Sequence, residues 1–172
     1  HYVFAPLGPV QGTTSGYTSG GQRSPTAPPI YDGSNVIDKF PFSADANATD
    51  VGDLTETGIQ RQSSGSSSSS NGYVAGGSGT ISNPGKKSKI DKFPFSSDTN
   101  ASNIGDLVVA TDYNAGHSSP THGYSTGGSV PASPYSHNVI EKYSFSSDGN
   151  ASDVGDLLDN VYRQAGQSSP SH

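Results

Sequence analysis

One phrase is written three times along this chain, and each copy closes on the same words: Val51-Gly52-Asp53-Leu54, Ile104-Gly105-Asp106-Leu107 and Val154-Gly155-Asp156-Leu157. Its openings also agree: Ile37-Asp38-Lys39-Phe40-Pro41-Phe42-Ser43, Ile90-Asp91-Lys92-Phe93-Pro94-Phe95-Ser96 and Ile140-Glu141-Lys142-Tyr143-Ser144-Phe145-Ser146, each followed by Asp-x-Asn-Ala-Thr/Ser. The period is about 50 residues, the length of propeller blades, solenoid coils or the lobes of a three-fold β-fold. A chain built this way cannot fold around one large centre; each unit must bury its apolar face against its neighbours.

A second phrase recurs out of phase with the first: Gly16-Tyr17-Thr18-Ser19-Gly20-Gly21, Gly72-Tyr73-Val74-Ala75-Gly76-Gly77 and Gly123-Tyr124-Ser125-Thr126-Gly127-Gly128. A Ser-rich lead-in precedes it, clearest at Gly116-His117-Ser118-Ser119-Pro120-Thr121-His122, and returns at Gly166-Gln167-Ser168-Ser169-Pro170-Ser171-His172. These phrases divide the chain into an N-terminal extension (1–15), three repeats (16–71, 72–122 and 123–172) and, within the last, a terminal half-repeat. One repeat is cut between the two termini. The expected outcomes are ends that meet within one molecule, ends that complete another copy, or a piece of a longer protein.

Leu, Ile, Val and Phe make up under a fifth of the residues while Gly and Ser abound, a balance that taken alone predicts disorder. Their placement predicts order, because the apolar residues are held in register at repeat positions. Alternation in Val36-Ile37-Asp38-Lys39-Phe40-Pro41-Phe42 puts Val36, Phe40 and Phe42 on one face of a strand and Ile37 with the Lys39 stem on the other. A strand apolar on both faces is covered on both sides, its Lys amine reaching water or an Asp. Pro41 and Pro94 mark a strand end or edge. Asp45 to Asp50 reads as a turn, Leu54-Thr55 and Leu107-Val108-Val109 as the start of a further strand, and Leu157 to Tyr162 as its third copy. No helical period is sustained, so the fold class is all-β.

The order Gly-Tyr-x-x-Gly-Gly, variable loop, Val-Ile-Asp-Lys-Phe, turn, Gly-Asp-Leu, Ser-rich lead-in resembles a kelch-type β-propeller blade. It departs from that pattern in having Phe145 and its equivalents where kelch blades usually carry Trp. More closely, the phrase from Ile37 to Leu54 is similar to repeats in tail- or head-fibre and other structural proteins of marine bacteriophages, a resemblance that spans about residues 16 to 172. It implies kelch-like β-propeller blades completed by oligomerisation, since three blades are too few for a ring; a three-lobed β-trefoil or β-prism is the structural alternative. The function implied is a non-enzymatic structural or attachment component of a virion, a fibre or decoration protein. Alternatives are an extracellular, cell-derived fibril or glycoprotein that polymerises head to tail, and a trefoil- or prism-type lectin.

Net charge is −6, and the one basic run, Lys86-Lys87-Ser88-Lys89, reads as a solvated loop, so nucleic acid is not an expected partner. No stretch reaches the roughly 18 apolar residues of a membrane span. Zero Cys removes disulfides, zinc thiolates and thiol chemistry. Expected partners are copies of the chain or other virion proteins and host-surface glycans; the expected location is the virion or the extracellular space.

Candidate chemistry lies in the repeats. Asp45, Asn47 and Asp53, with Asp98, Asn100 and Asp106, and Asp148, Asn150 and Asp156, offer oxygen ligands that suit calcium, although no EF-hand Gly or bidentate Glu accompanies them. The same residues form Asx turns that satisfy themselves, so the fold is expected to stand without the ion. Asn47, Asn100 and Asn150 each open an Asn-x-Thr/Ser acceptor for N-glycosylation. Tyr17, Tyr73 and Tyr124 could stack on a sugar, or equally pack against the neighbouring unit. His122 and His172 occupy equivalent loop positions, and no catalytic pattern such as Gly-x-Ser-x-Gly is present.

Overall fold

The computed structural model describes residues 12–23, 32–56, 62–79 and 85–169; the extension up to residue 11 and His172 lie outside them. The described residues are all-β, in three main antiparallel sheets. The first contains β1 (Ser15–Ser19), β4 (Val36–Pro41) and β5 (Thr49–Asp53). A small ribbon of β2 (Gln22–Arg23) and β3 (Asp32–Gly33) lies between β1 and β4 in the chain. The second sheet is a four-stranded meander of β6 (Ser64–Ser67), β7 (Asn71–Ala75), β8 (Lys89–Pro94) and β9 (Ser102–Asp106). The third repeats it with β10 (Ala115–Ser118), β11 (His122–Thr126), β12 (His137–Ser144) and β13 (Ser152–Val161). No closed barrel or ring is formed among the described residues.

Both recurring phrases acquire a physical reason in the pairing. In every sheet the Gly before the Tyr lies directly across from the first aromatic of the long phrase: Gly16 from Phe40, Gly72 from Phe93, Gly123 from Tyr143. The aromatic ring lies over the glycine, in space where a Cβ would overlap it. Within Val/Ile-Gly-Asp the β-branched residue is the extra residue of a β-bulge, since Ile37 pairs with Gly52 while Asp38 pairs with Asp50. The same slip recurs at Ile104 and Val154. A bulge bends the strand and re-aims side chains; here it sends Val51 and Ile104 into the packing between sheets.

The core lies between the layers. Ile37, Leu54, Val74 and Phe93, with Tyr17, Val51, Phe95 and Ala101 packed on them, fill the space between the first and second sheets. Tyr73, Ala75, Ile90, Ile104, Leu107, Tyr143 and Ala151, with Phe145, fill the equivalent space between the second and third. The two-sided strand expected from alternation is thus found: Ile37 faces the next sheet and Phe93 the previous one. β4 and β8 end on Pro41 and Pro94, where the missing amide costs no ladder bond.

Two expectations need correction. The last strand of each sheet begins at Thr49 or Ser102, at the end of the segment read as a turn, and in the first two sheets it stops before the Leu. Leu54 and Leu107 leave the sheet to enter the interlayer core, and the amides that follow them bond to buried carboxylates of the next layer rather than to a strand backbone. The basic run is no solvated loop: Lys86 Nζ holds the buried Asp112 carboxylate and Ser129 Oγ, and Lys87 and Lys89 reach Glu56. Two carboxylates, Asp112 and Glu56, and the Ser129 hydroxyl converge there from separate segments, which sequence distance concealed.

Candidate functional site

The residues singled out in the sequence converge on the seams between sheets. Asn100 Oδ1 accepts the backbone N–H of Asp53 at 3.0 Å, and Asn150 Oδ1 accepts that of Asp106 at 3.0 Å. The neighbouring amides answer in kind: Ala101 N–H donates to the Asp53 carbonyl and Ala151 N–H to that of Asp106, both at 2.8 Å. Each Asn-Ala pair therefore clamps the bulged strand of the sheet before it. Local Asx bonds fall instead to Asp50 and Asp153, which accept the Gly52 and Gly155 amides two residues on, both at 3.1 Å.

Asp98 and Asp148 sit beside the clamps as ion-pair partners, Asp98 of Lys39 at 3.2 Å and Asp148 of Lys92. The hydrogen bond that Lys39 donates to Asp98 raises the Lys39 pKa. Asp106 accepts from Ser88 Oγ at 2.7 Å. In the first layer Asp45 and Asn47 are exposed, and in the third so is Asp156. Among the described residues, no group of three His, Cys, Asp or Glu is gathered to hold a metal ion.

The three tyrosines take unequal places. Tyr17 stacks on Phe95 with centroids 4.8 Å apart and tilts against Phe93 at 5.6 Å. Tyr73 stacks on Phe145 at 4.6 Å and meets Tyr143 at 5.9 Å, and is almost wholly buried. Tyr124 is half-buried, with the His122 ring of its own strand at 6.5 Å. The first two are wedges between sheets, the packing role allowed by their place in the repeat.

Sequence reading missed the buried acids. Asp91 is fully buried; one carboxylate oxygen accepts the Thr55 N–H at 2.8 Å, and both lie within reach of its hydroxyl. Glu141, its equivalent in the third sheet, accepts the N–H groups of Val108 at 2.7 Å and Val109 at 3.3 Å. Burial pushes the Glu141 carboxyl pKa up, and the two amides oppose that shift. The signal was present in the repeat: an acid falls between Ile and Lys in all three copies, two residues before the aromatic and therefore on its face. Tyr143, likewise buried, bonds Ser66 across the seam at 2.6 Å, and desolvation pushes its phenol up to about 12.

These groups point their polar atoms at the adjacent layer rather than at a cleft. No protein-family model matches the chain, and no curated protein matches it in sequence. The geometry is that of an adhesive seam repeated, with aromatic, ionic and amide components in the same order each time.

Proposed function

We propose that this chain is a non-enzymatic structural module, a fibre or decoration component of a phage virion that presents a rigid stack of β-sheets for display or attachment. The observation that carries the structural part is the conversion of the repeat's polar residues into interlayer bonds. Asn100 and Asn150, Asp98 with Lys39, Asp148 with Lys92, and the buried acids Asp91 and Glu141 all hold the neighbouring copy, which turns these residues toward the seams. Stiffness follows from that pattern, because bending the stack breaks several bonds per seam at once.

The virion assignment draws on the likeness of Ile-Asp-Lys-Phe-Pro-Phe-Ser and its sequel to repeats of marine phage fibre and structural proteins. Four-stranded meanders stacked face to face are also how propeller blades pack, which supports reading each sheet as a kelch-like blade whose set is completed by oligomerisation. Attachment to host-surface glycans would fall to the copy whose third sheet ends the stack, where the half-buried Tyr124 has no further layer on it. Immunogold labelling of the native source tests the assignment. Label on virions is the expected result; label confined to cell-borne filaments would replace it with the extracellular-fibril reading.

A further inference from the structure

We propose that the outer face of the third sheet, together with the segment Gln164–Ser168, docks the first sheet of a second copy of this chain in the register that joins the sheets within one copy. The inference deepens the structural-module reading and rests on it. It is carried by continuity with the two internal seams, whose halves are separately displayed at the two ends of the stack.

Each internal seam joins an aromatic-acidic face to a tyrosine-lysine face. Tyr17 and Tyr73 meet Phe93 with Phe95 and Tyr143 with Phe145; Lys39 and Lys92 meet Asp98 and Asp148. The third sheet repeats the donor half with Tyr124, Lys142 and the Asp156 amide. The first sheet repeats the acceptor half with Phe40, Phe42, Asp45 and Asn47. By register, Tyr124 goes to Phe40 and Phe42, Lys142 to Asp45, the Asp156 N–H to Asn47 Oδ1, and the Ala48 N–H to the Asp156 carbonyl.

Exposure follows the same logic. Ile37 and Ile90 are fully buried, but Ile140, at the same position, is only half-buried. Ile104 is buried inside a seam while Val154 is 45% exposed; Ala151 is buried and Ala48 exposed; and Phe42 is 53% exposed. Apolar groups that are covered in the interior seams are uncovered at both ends, and covering them is favourable.

The strands are complementary as well. Among its described residues the first sheet has three strands, lacking the lead-in strand that β6 and β10 supply to the other two. Residues 164–168 already lie on the third sheet as the lead-in of a fourth. Ser118 N–H donates to Ser168 Oγ at 2.9 Å, as Ser67 N–H donates to Ser118 Oγ at 2.9 Å. The Arg163 N–H donates to the Tyr113 carbonyl as the Tyr113 N–H donates to that of Gln62. β10 pairs Ser118 with Gly123 and Ala115 with Thr126. Carried one layer on, Ser168 pairs with Gly16 and Ala165 with Ser19 of the second copy, along the β1 edge that no described strand pairs.

The test combines sedimentation velocity of the full chain with carbodiimide cross-linking, which joins a lysine amine to a nearby carboxylate with loss of water. Expected are oligomers that grow with concentration, and a Lys142–Asp45 link between copies beside the internal links Lys39–Asp98 and Lys92–Asp148. Lys142→Asp and Asp45→Lys should each raise the concentration for assembly about tenfold, since a like-charge pair replaces an attractive one. Mixing the two variants should restore it, because each then offers the other an opposite charge. A folded chain that stays monomeric at millimolar concentration overturns the proposal, as do oligomers that carry both internal links but no Lys142–Asp45 link. Loss of the internal links themselves would instead overturn the stacked-module reading on which it rests. Closed rings and open filaments both support docking, differing only in the rotation between copies.

Discussion

Phe93 lies across the strand from Gly72, its ring over the glycine in space that any Cβ would enter. The ring is buried, and it also meets Tyr17 of the previous sheet. One glycine thus sets the depth at which the aromatic seats, and with it the seam between two layers. Gly72→Ala is expected to destabilise the chain by about 1–3 kcal/mol through overpacking. Gly65→Ala, where a Cβ meets nothing within 4 Å, is the control, expected to stay within about 0.5 kcal/mol; urea unfolding of the two variants makes the comparison.

Asn100 and Asn150 perform equal work at successive seams, each accepting one amide N–H from the sheet before it. Replacing Asn100 by Ala should cost about 0.5–1.5 kcal/mol, the net worth of one such bond. Asn47→Ala should cost the isolated monomer little. Because the clamp is made by amides and not by an ion, EGTA is expected to leave the thermal midpoint unchanged. A midpoint that falls in EGTA and recovers with calcium would show that the Asp-x-Asn segments hold a cation after all.

Glu141 gives the fold a pH dependence whose sign is fixed by its burial. Its folded-state pKa lies above the ordinary carboxylate value because desolvation outweighs the two amides it accepts. The stability linked to that proton is fully present below the unfolded pKa and is lost as pH rises through the folded one. Wild type should therefore gain on Glu141→Gln as pH is lowered from 7 toward 4. His137, held below its ordinary pKa by burial, titrates in both proteins and cancels. Parallel stability curves over that range would refute the assignment.

Tyr143 should be visible in an absorbance titration as a phenol ionising near 12, where burial has placed it, and that step should vanish in Tyr143→Phe. Its pKa is raised on folding, so the associated stability is present below pH 10 and lost as pH climbs through about 12. The substitution keeps the ring but removes the bond to Ser66, for an expected loss of about 1 kcal/mol. Phe40 and Phe93 occupy the same position in the other sheets, which argues that the ring itself will fit.

Much of this architecture is legible in the sequence. The all-β class, the two-sided strand at Ile37 to Phe42, the terminal prolines and the interlayer role open to Tyr17 and Tyr73 all follow from alternation and repetition, which act over a few residues. What failed were readings that depend on distant partners. The Leu107 segment has the composition of a strand, yet its amides go to Glu141, some thirty residues away. Lys86 looks solvated in sequence and is drawn inward by Asp112 and Ser129.

The division is physical. Local pattern determined the all-β class and which face the side chains of the long phrase take, because backbone sterics and side-chain alternation need no neighbour from afar; the bounds of the last strand it misplaced. The tertiary structure alone decided what those faces meet: that Asn100 clamps Asp53, that Asp91 and Glu141 are buried as acceptors of backbone amides, and that the bulge at Gly52 aims Val51 into a seam. Such bonds join residues one repeat apart, and a sequence records the repeat without recording the stacking register that brings its copies into contact.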